Sequence, residues 1–178
     1  QKLVLTVKSN LHHLRHDFAA VADAFSQDIS IVGAAVSSKV PGDSFNGGYH
    51  LWRENENRQT GKFIKAITVS PGFLELYGID MAYGRPFARG SISDMENAYI
   101  LNAEATRELG FSTPEEAVGK RFTAHYHEKT KTIIGVTRDF HVRGMQEKII
   151  PLVLDVEESL MNKITVGIRP GQVKRAMS

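Results

Sequence analysis

A chain of 178 residues, 42% hydrophobic and 24% charged, is long enough to bury a sizeable core and has the composition of a folded protein rather than a disordered or collagen-like one. Its 22 basic and 20 acidic residues leave a formal charge of +2, which provides no electrostatic footprint for nucleic acid or an anionic membrane surface. The absence of cysteine excludes disulfides, thiolate metal sites and cysteine nucleophiles together.

The first run, LVLTV at 3–7, reads as a strand. Leu11, Leu14, Phe18, Val21, Ala22 and Phe25 then recur at helical spacing behind Ser9 or Asn10 as N-cap, which predicts an amphipathic helix over 11–25. Residues 29–40, rich in Ile, Val and small side chains, predict a second strand. The turn formers PGDSFNGG separate it from two alternating runs, YHLWRE and GKFIKAITV, which predict an antiparallel pair joined across NENRQT. Pro71 opens a short helix over FLELY, and Gly78 stops it.

From Ile79 the texture becomes irregular, with Gly84, Pro86, Gly90 and SISD, before AYIL predicts a strand and NAEATRELG a helix closed by Gly110. Pro114 to Val118 is a further helical turn. KRFTAHYH and KTKTIIGV predict a hairpin joined near Glu128, and PLVLDV and KITVGI two more strands. Strands and helices mixed without a βαβα rhythm predict an α+β fold with largely antiparallel sheet. No fixed-period repeat occurs. The longest apolar stretch, IVGAAV, is far short of the roughly 20 residues that cross a bilayer. The chain opens at Gln1 and stops inside QVKRAMS, and is expected to be an excised piece of a longer protein.

Four groups of residues invite a chemical reading. Asp139 and His141, in GVTRDFH at a strand end, are types that a hydrolase would place there; equally, the carboxylate can accept backbone N–H bonds while Phe140 turns into the core. Gly42-Asp43-Ser44 resembles the nucleophile block of GDS-type esterases, but that family sets its aspartate and histidine three apart, and Asp139 and His141 are two apart. His12 and His16, with His13 between them, and the pair His125 and His127 could each share a face as two metal ligands, yet neither pair has a third ligand at a recognisable spacing. The adjacent carboxylates Glu115-Glu116 and Glu157-Glu158 diverge and read as solvated surface. No phosphate-binding glycine motif is present, since Gly61-Lys62 and Gly119-Lys120 lack its other members. The expectation is no catalytic residue, no cofactor and no metal.

Taken together, VSPGFLELYGIDMAYGRPF, AYILNAEATRELGFSTPEEAVGKRF and TIIGVTRDFHVRGMQEKIIPLVL resemble the MacB-like periplasmic core domain of FtsX-like ABC transporter permeases, particularly those of Bacteroidetes. The matching blocks are Leu-Tyr-Gly-Ile before Gly84-Arg85-Pro86-Phe87, Ile100-Leu101-Asn102 opening a helix, Ala117-Val118-Gly119-Lys120, and Ile134-Gly135-Val136 before Asp139-Phe140-His141. They extend over about residues 60 to 156. The family's usual Asn-Glu is Asn102-Ala103 here, and Arg143-Gly144-Met145 replaces a common serine-leucine pair. The resemblance implies a porter-like lobe, 1–80 and 128–178, with an inserted Sabre-like lobe, 81–127. It implies a non-enzymatic domain in the periplasm, between membrane helices of an inner-membrane permease, with ATP hydrolysed in a cytoplasmic subunit or domain. A periplasmic adaptor or second permease copy is a further implied partner, and the isolated piece is expected to be a monomer. The alternative reading is an extracytoplasmic ligand-binding or sensor module, and a small hydrolase comes third.

Overall fold

The structure, a computed structural model, describes residues 3–8, 20, 24–25, 27–125, 129–141 and 148–172. Most of the helix expected at 11–25 lies outside them, as do His12, His13, His16, His127 and 143–145. Ten strands form two sheets among the described residues. β1 (Leu3–Lys8), β2 (Ile31–Ser37) and β10 (Lys163–Ile168) make an antiparallel sheet in the order β1-β10-β2.

The second sheet contains β3 (Gly48–Arg53), β4 (Lys62–Thr68), β5 (Met81–Gly84), β6 (Ala98–Asn102), β7 (Arg121–Ala124), β8 (Thr130–Thr137) and β9 (Leu152–Asp155). It runs β5-β8-β6-β9-β4-β3-β7, and β7 pairs again with β8, so six strands close on themselves. The long β8 permits this. Its first residues pair with β7 and its last with β5, while β6 runs beside it. The expected antiparallel pairs β3–β4 and β7–β8 are present; β4–β9 and β6–β8 are parallel.

Among the described residues, four short α-helices connect strands of the second sheet. α1 (Phe73–Tyr77) ends at Gly78, whose φ of 67° suits glycine. α2 (Ile92–Asn97), in the stretch read as irregular, is capped by Ser91; α3 (Ala103–Glu108) is capped by Asn102; α4 (Pro114–Ala117) has Thr113 as cap and proline in its first turn.

Two cores result. All six closing strands contribute to the first, with Leu51, Ile64, Tyr99, Phe122, Ile133 and Val153, and α3 and α4 add Ala105 and Ala117. The alternate residues Ile100, Leu152 and Leu154 face a second core, shared with α1 and with Val36, Ile164 and Val166 of the three-stranded sheet. β6 and β9 are thus buried on both faces, which is why AYIL and LVL are continuous apolar runs instead of alternating ones.

The boundary expected at 81–127 does not coincide with the sheets. β5, β6 and β7 from that stretch pair with β8, β9 and β3 from outside it, and the three-stranded sheet is the separate one. Irregular local backbone after Ile79 marked a change of texture, whereas sheet membership depends on which distant strand supplies the hydrogen bonds. Among the described residues no helix is long and apolar enough to cross a membrane.

Candidate functional site

The signature side chains occupy three junctions and are committed to structural partners at each. Asp139 Oδ1 accepts the N–H of Glu104 at 2.8 Å, in the first turn of α3, and its Oδ2 accepts from Arg107 Nη2 at 2.6 Å. Arg107 also holds Glu104, so one guanidinium ties the segment after β8 to α3. Phe140 packs on the shared core as expected, and His141 is exposed. The carboxylate is bonded to backbone, as expected, but the donor belongs to a helix far off in sequence rather than to its own strand end.

Asn102 lies at the second junction and is 1% exposed. Its Oδ1 accepts the N–H groups of Ala105 and Leu152, both at 2.9 Å, and its Nδ2 donates to Ile150 O at 2.8 Å. One amide therefore caps α3 and fastens β9 beside β6. At the third, Arg85 grips Asp94 with two bonds of 2.6 and 2.8 Å, and Ala88 N–H adds a third at 2.8 Å. The guanidinium holds the Asp94 carboxyl below the usual aspartate range against the upward push of burial. Gly84 sits at φ 74° and pairs with Gly135, so this crossing is held against β8.

The esterase-like block is also absorbed. Asp43 accepts from Val40 N–H at 2.9 Å and from the Lys163 ammonium; burial pushes its carboxyl up, but these two donors outweigh it and hold it low. Ser44 is exposed. His125 Nδ1 accepts the backbone N–H of His50 at 3.2 Å, a strand-pairing role. Glu116 accepts the N–H of Ser112 at the start of α4, and Glu157 accepts from Ser159. No cluster of three or more metal-ligating side chains occurs among the described residues.

One charged cluster was not anticipated. Lys131 and Asp155, whose side chains are 4% and 0% exposed, stand 3.5 Å apart within the closed sheet. The Lys131 ammonium also donates to Met95 O at 3.3 Å and lies 5.3 Å from the centre of the Tyr99 ring. Burial, and then the Asp155 carboxylate, push the phenols of Tyr49 and Tyr99 well above their ordinary range. A cavity of about 200 Å³ opens beside the pair, lined by Met95, Glu96, Lys129, Lys131, Val156 and the two glutamates after it. The alternation of KTKTIIGV, which puts Lys131 on the face of Ile133, was the available signal; the identity of its partner was not readable.

This α+β architecture, a closed six-stranded sheet packed through short helices on a three-stranded sheet, has the fold of solved extracytoplasmic domains of transport proteins. The chain superposes on the periplasmic region of MacB from Actinobacillus actinomycetemcomitans with a TM-score of 0.62 at 12% identity, covering 94% of this chain and 75% of that one. It superposes on the extracellular domain of the noncanonic ABC-type transporter YknZ from Gram-positive bacteria with a TM-score of 0.64 at 13% identity, covering 99% and 88%. For a domain of a protein described as a permease, from Porphyromonas gingivalis, the values are 0.60 and 19%, covering 96% and 75%. At these identities the likeness is one of fold, and it is the MacB-like fold that the sequence blocks lead one to expect. No protein-family model matches the sequence, and no curated protein matches it.

Proposed function

We propose that the chain is a non-catalytic periplasmic domain of an inner-membrane ABC transporter permease, displaced by ATP-driven movement of the membrane helices so as to export or extract a substrate. The observation that carries this reading is the fold, which extracytoplasmic domains of two ABC transporters share over 94% and 99% of the chain. The commitment of Arg85 to Asp94, and of Asn102 and Asp139 to backbone N–H groups, supports it, because these signature residues are occupied in holding the domain together. On this reading β1, β2 and β10 belong to the porter-like part, and β3 to β9 to the inserted one. Its partners are the helices of the same permease, a cytoplasmic ATP-binding subunit or domain, and a periplasmic adaptor or second permease copy. The isolated chain is a monomer at micromolar concentration, which sedimentation checks.

The test is made on the full permease in nanodiscs with its ATP-binding partner. A spin label at the exposed position Glu115→Cys should show distances to a label on the membrane helices that change between the nucleotide-free and ATP-bound states. Distances indifferent to nucleotide would overturn the reading. The cavity beside Lys131 favours a sensor module as second reading; saturable binding of a small molecule, with no nucleotide-linked movement, would select it.

A further inference from the structure

Two packed sheets can bear a load as lobes that slide or hinge, or as one body. Here the ends of β2 and β4 meet as an isolated antiparallel bridge between Ser37 and Val69. Ser38 N–H donates to Thr68 O at 2.9 Å, and Ser38 Oγ accepts Thr68 N–H at 3.0 Å. Ser70 repeats the exchange with Val36: its N–H donates to Val36 O at 2.8 Å, and its Oγ accepts Val36 N–H at 2.9 Å. This seam leads directly into α1.

α1 lays the buried Leu76 over Gly33 and Gly167, which face each other in the β2–β10 register. A Cβ on Gly167 would stand 2.8 Å from Leu76 Cδ1, closer than real contacts allow; one on Gly33 would stand at an ordinary 3.8 Å. An alanine at 167 would push the end of the Leu76 side chain aside, whereas one at 33 would leave it in place. Next to it, Tyr77 OH bonds the fully buried Thr165 Oγ1 at 2.9 Å, and Asp43 pairs with Lys163 on the same strand. Apolar, hydroxyl and ionic contacts thus converge on β10 from segments on either side of the seam.

We infer that Leu76, seated on the Gly33–Gly167 pair, couples the three-stranded sheet to the closed sheet, so that the two open and move as a single body. In a permease the domain would then be displaced whole, without relative motion of its two sheets. That consequence holds only if the chain is a permease part; the coupling holds either way.

Native-state hydrogen exchange on the 178-residue chain tests it without any transport assay. In the unsubstituted chain the slowest amides of β2 and β10 should match those of β4 and β9 within about tenfold in protection, as one cooperative unit requires. Gly167→Ala should lower protection in β2 and β10 by about tenfold relative to β4 and β9, and Gly33→Ala by less than about threefold. The selective effect of Gly167→Ala should disappear in a Leu76→Ala background, because the clash acts through that side chain. A three-stranded sheet that exchanges more than about tenfold faster than the closed sheet in the unsubstituted chain would overturn the coupling, whether or not any variant folds. Equal effects of the two glycine substitutions would overturn the part given to Leu76. Nucleotide-independent distances in the permease, with matched protection in the chain, would count against the transporter role alone.

Discussion

Asn102→Ala is expected to carry a large cost for a substitution outside the apolar cores. The side chain makes three bonds, to Ala105 N–H, Leu152 N–H and Ile150 O, from a position 1% exposed. At a net value of about 1 kcal/mol each, their loss costs about 3 kcal/mol. Ala105 and Leu152 are both at 0% exposure, so their N–H groups have no route to water, and this orphaning raises the expectation to about 4 to 5 kcal/mol. That is a large share of the roughly 5 to 15 kcal/mol by which a domain is ordinarily stable. Asn102→Asp keeps acceptors for both N–H groups but sets a carboxylate against the Ile150 carbonyl, and should lose about 2 kcal/mol. Urea unfolding followed by circular dichroism measures both, with an unchanged slope against denaturant required for the comparison. A loss below about 1 kcal/mol for Asn102→Ala at constant slope would refute the reasoning, since the junction would then hold without the amide.

Asp139→Ala should cost about 1 to 2 kcal/mol, discounted because Arg107 is more than half exposed, and Asp139→Asn should recover most of it by still accepting Glu104 N–H; an unchanged thermal midpoint for the alanine variant would argue against the tie. The Asp43 and Asp94 carboxyls are held low in the fold, so the unfolded chain binds their protons more tightly. Their contribution is complete above the unfolded value of about 4 and is lost as pH falls through the folded values. Stability measured from pH 6 down to pH 2 should therefore decline at the acid end, less steeply in Asp94→Asn; superimposable curves would remove Asp94 from the account. The chain should show no ATPase, esterase or peptidase activity, and hydrolysis abolished by Ser44→Ala or His141→Ala would contradict that expectation.

Local elements were legible where a single segment settles its own conformation. Gly78 and Gly110 end helices because positive φ is cheap only for glycine, and Thr113-Pro114 opens α4 because the cap and the proline act within one turn. The blocks containing Gly84-Arg85-Pro86-Phe87, Asn102 and Asp139 were visible as a pattern, yet their partners were not. Arg85 finds Asp94 nine residues on, and Asp139 finds Glu104 at a separation of 35. The pairing of strands from 81–127 with strands outside that stretch has the same origin.

From the sequence alone came most of the strands and the short helices at 73–77, 103–108 and 114–117, though not β5 or α2, together with the α+β class and the conflict between the esterase-like block and its missing triad. Those rest on φ/ψ preferences, side-chain periodicity and spacing, which act over a few residues. Closure of the sheet through β7 and β8, the parallel pairing of β4 with β9, the burial of Lys131 against Asp155 and the seating of Leu76 on Gly167 were decided by tertiary structure. A backbone hydrogen bond looks the same from either strand. Which strand provides it depends on the one arrangement that buries both faces of β6 and β9 while leaving their amides paired, and no short window of sequence contains that condition.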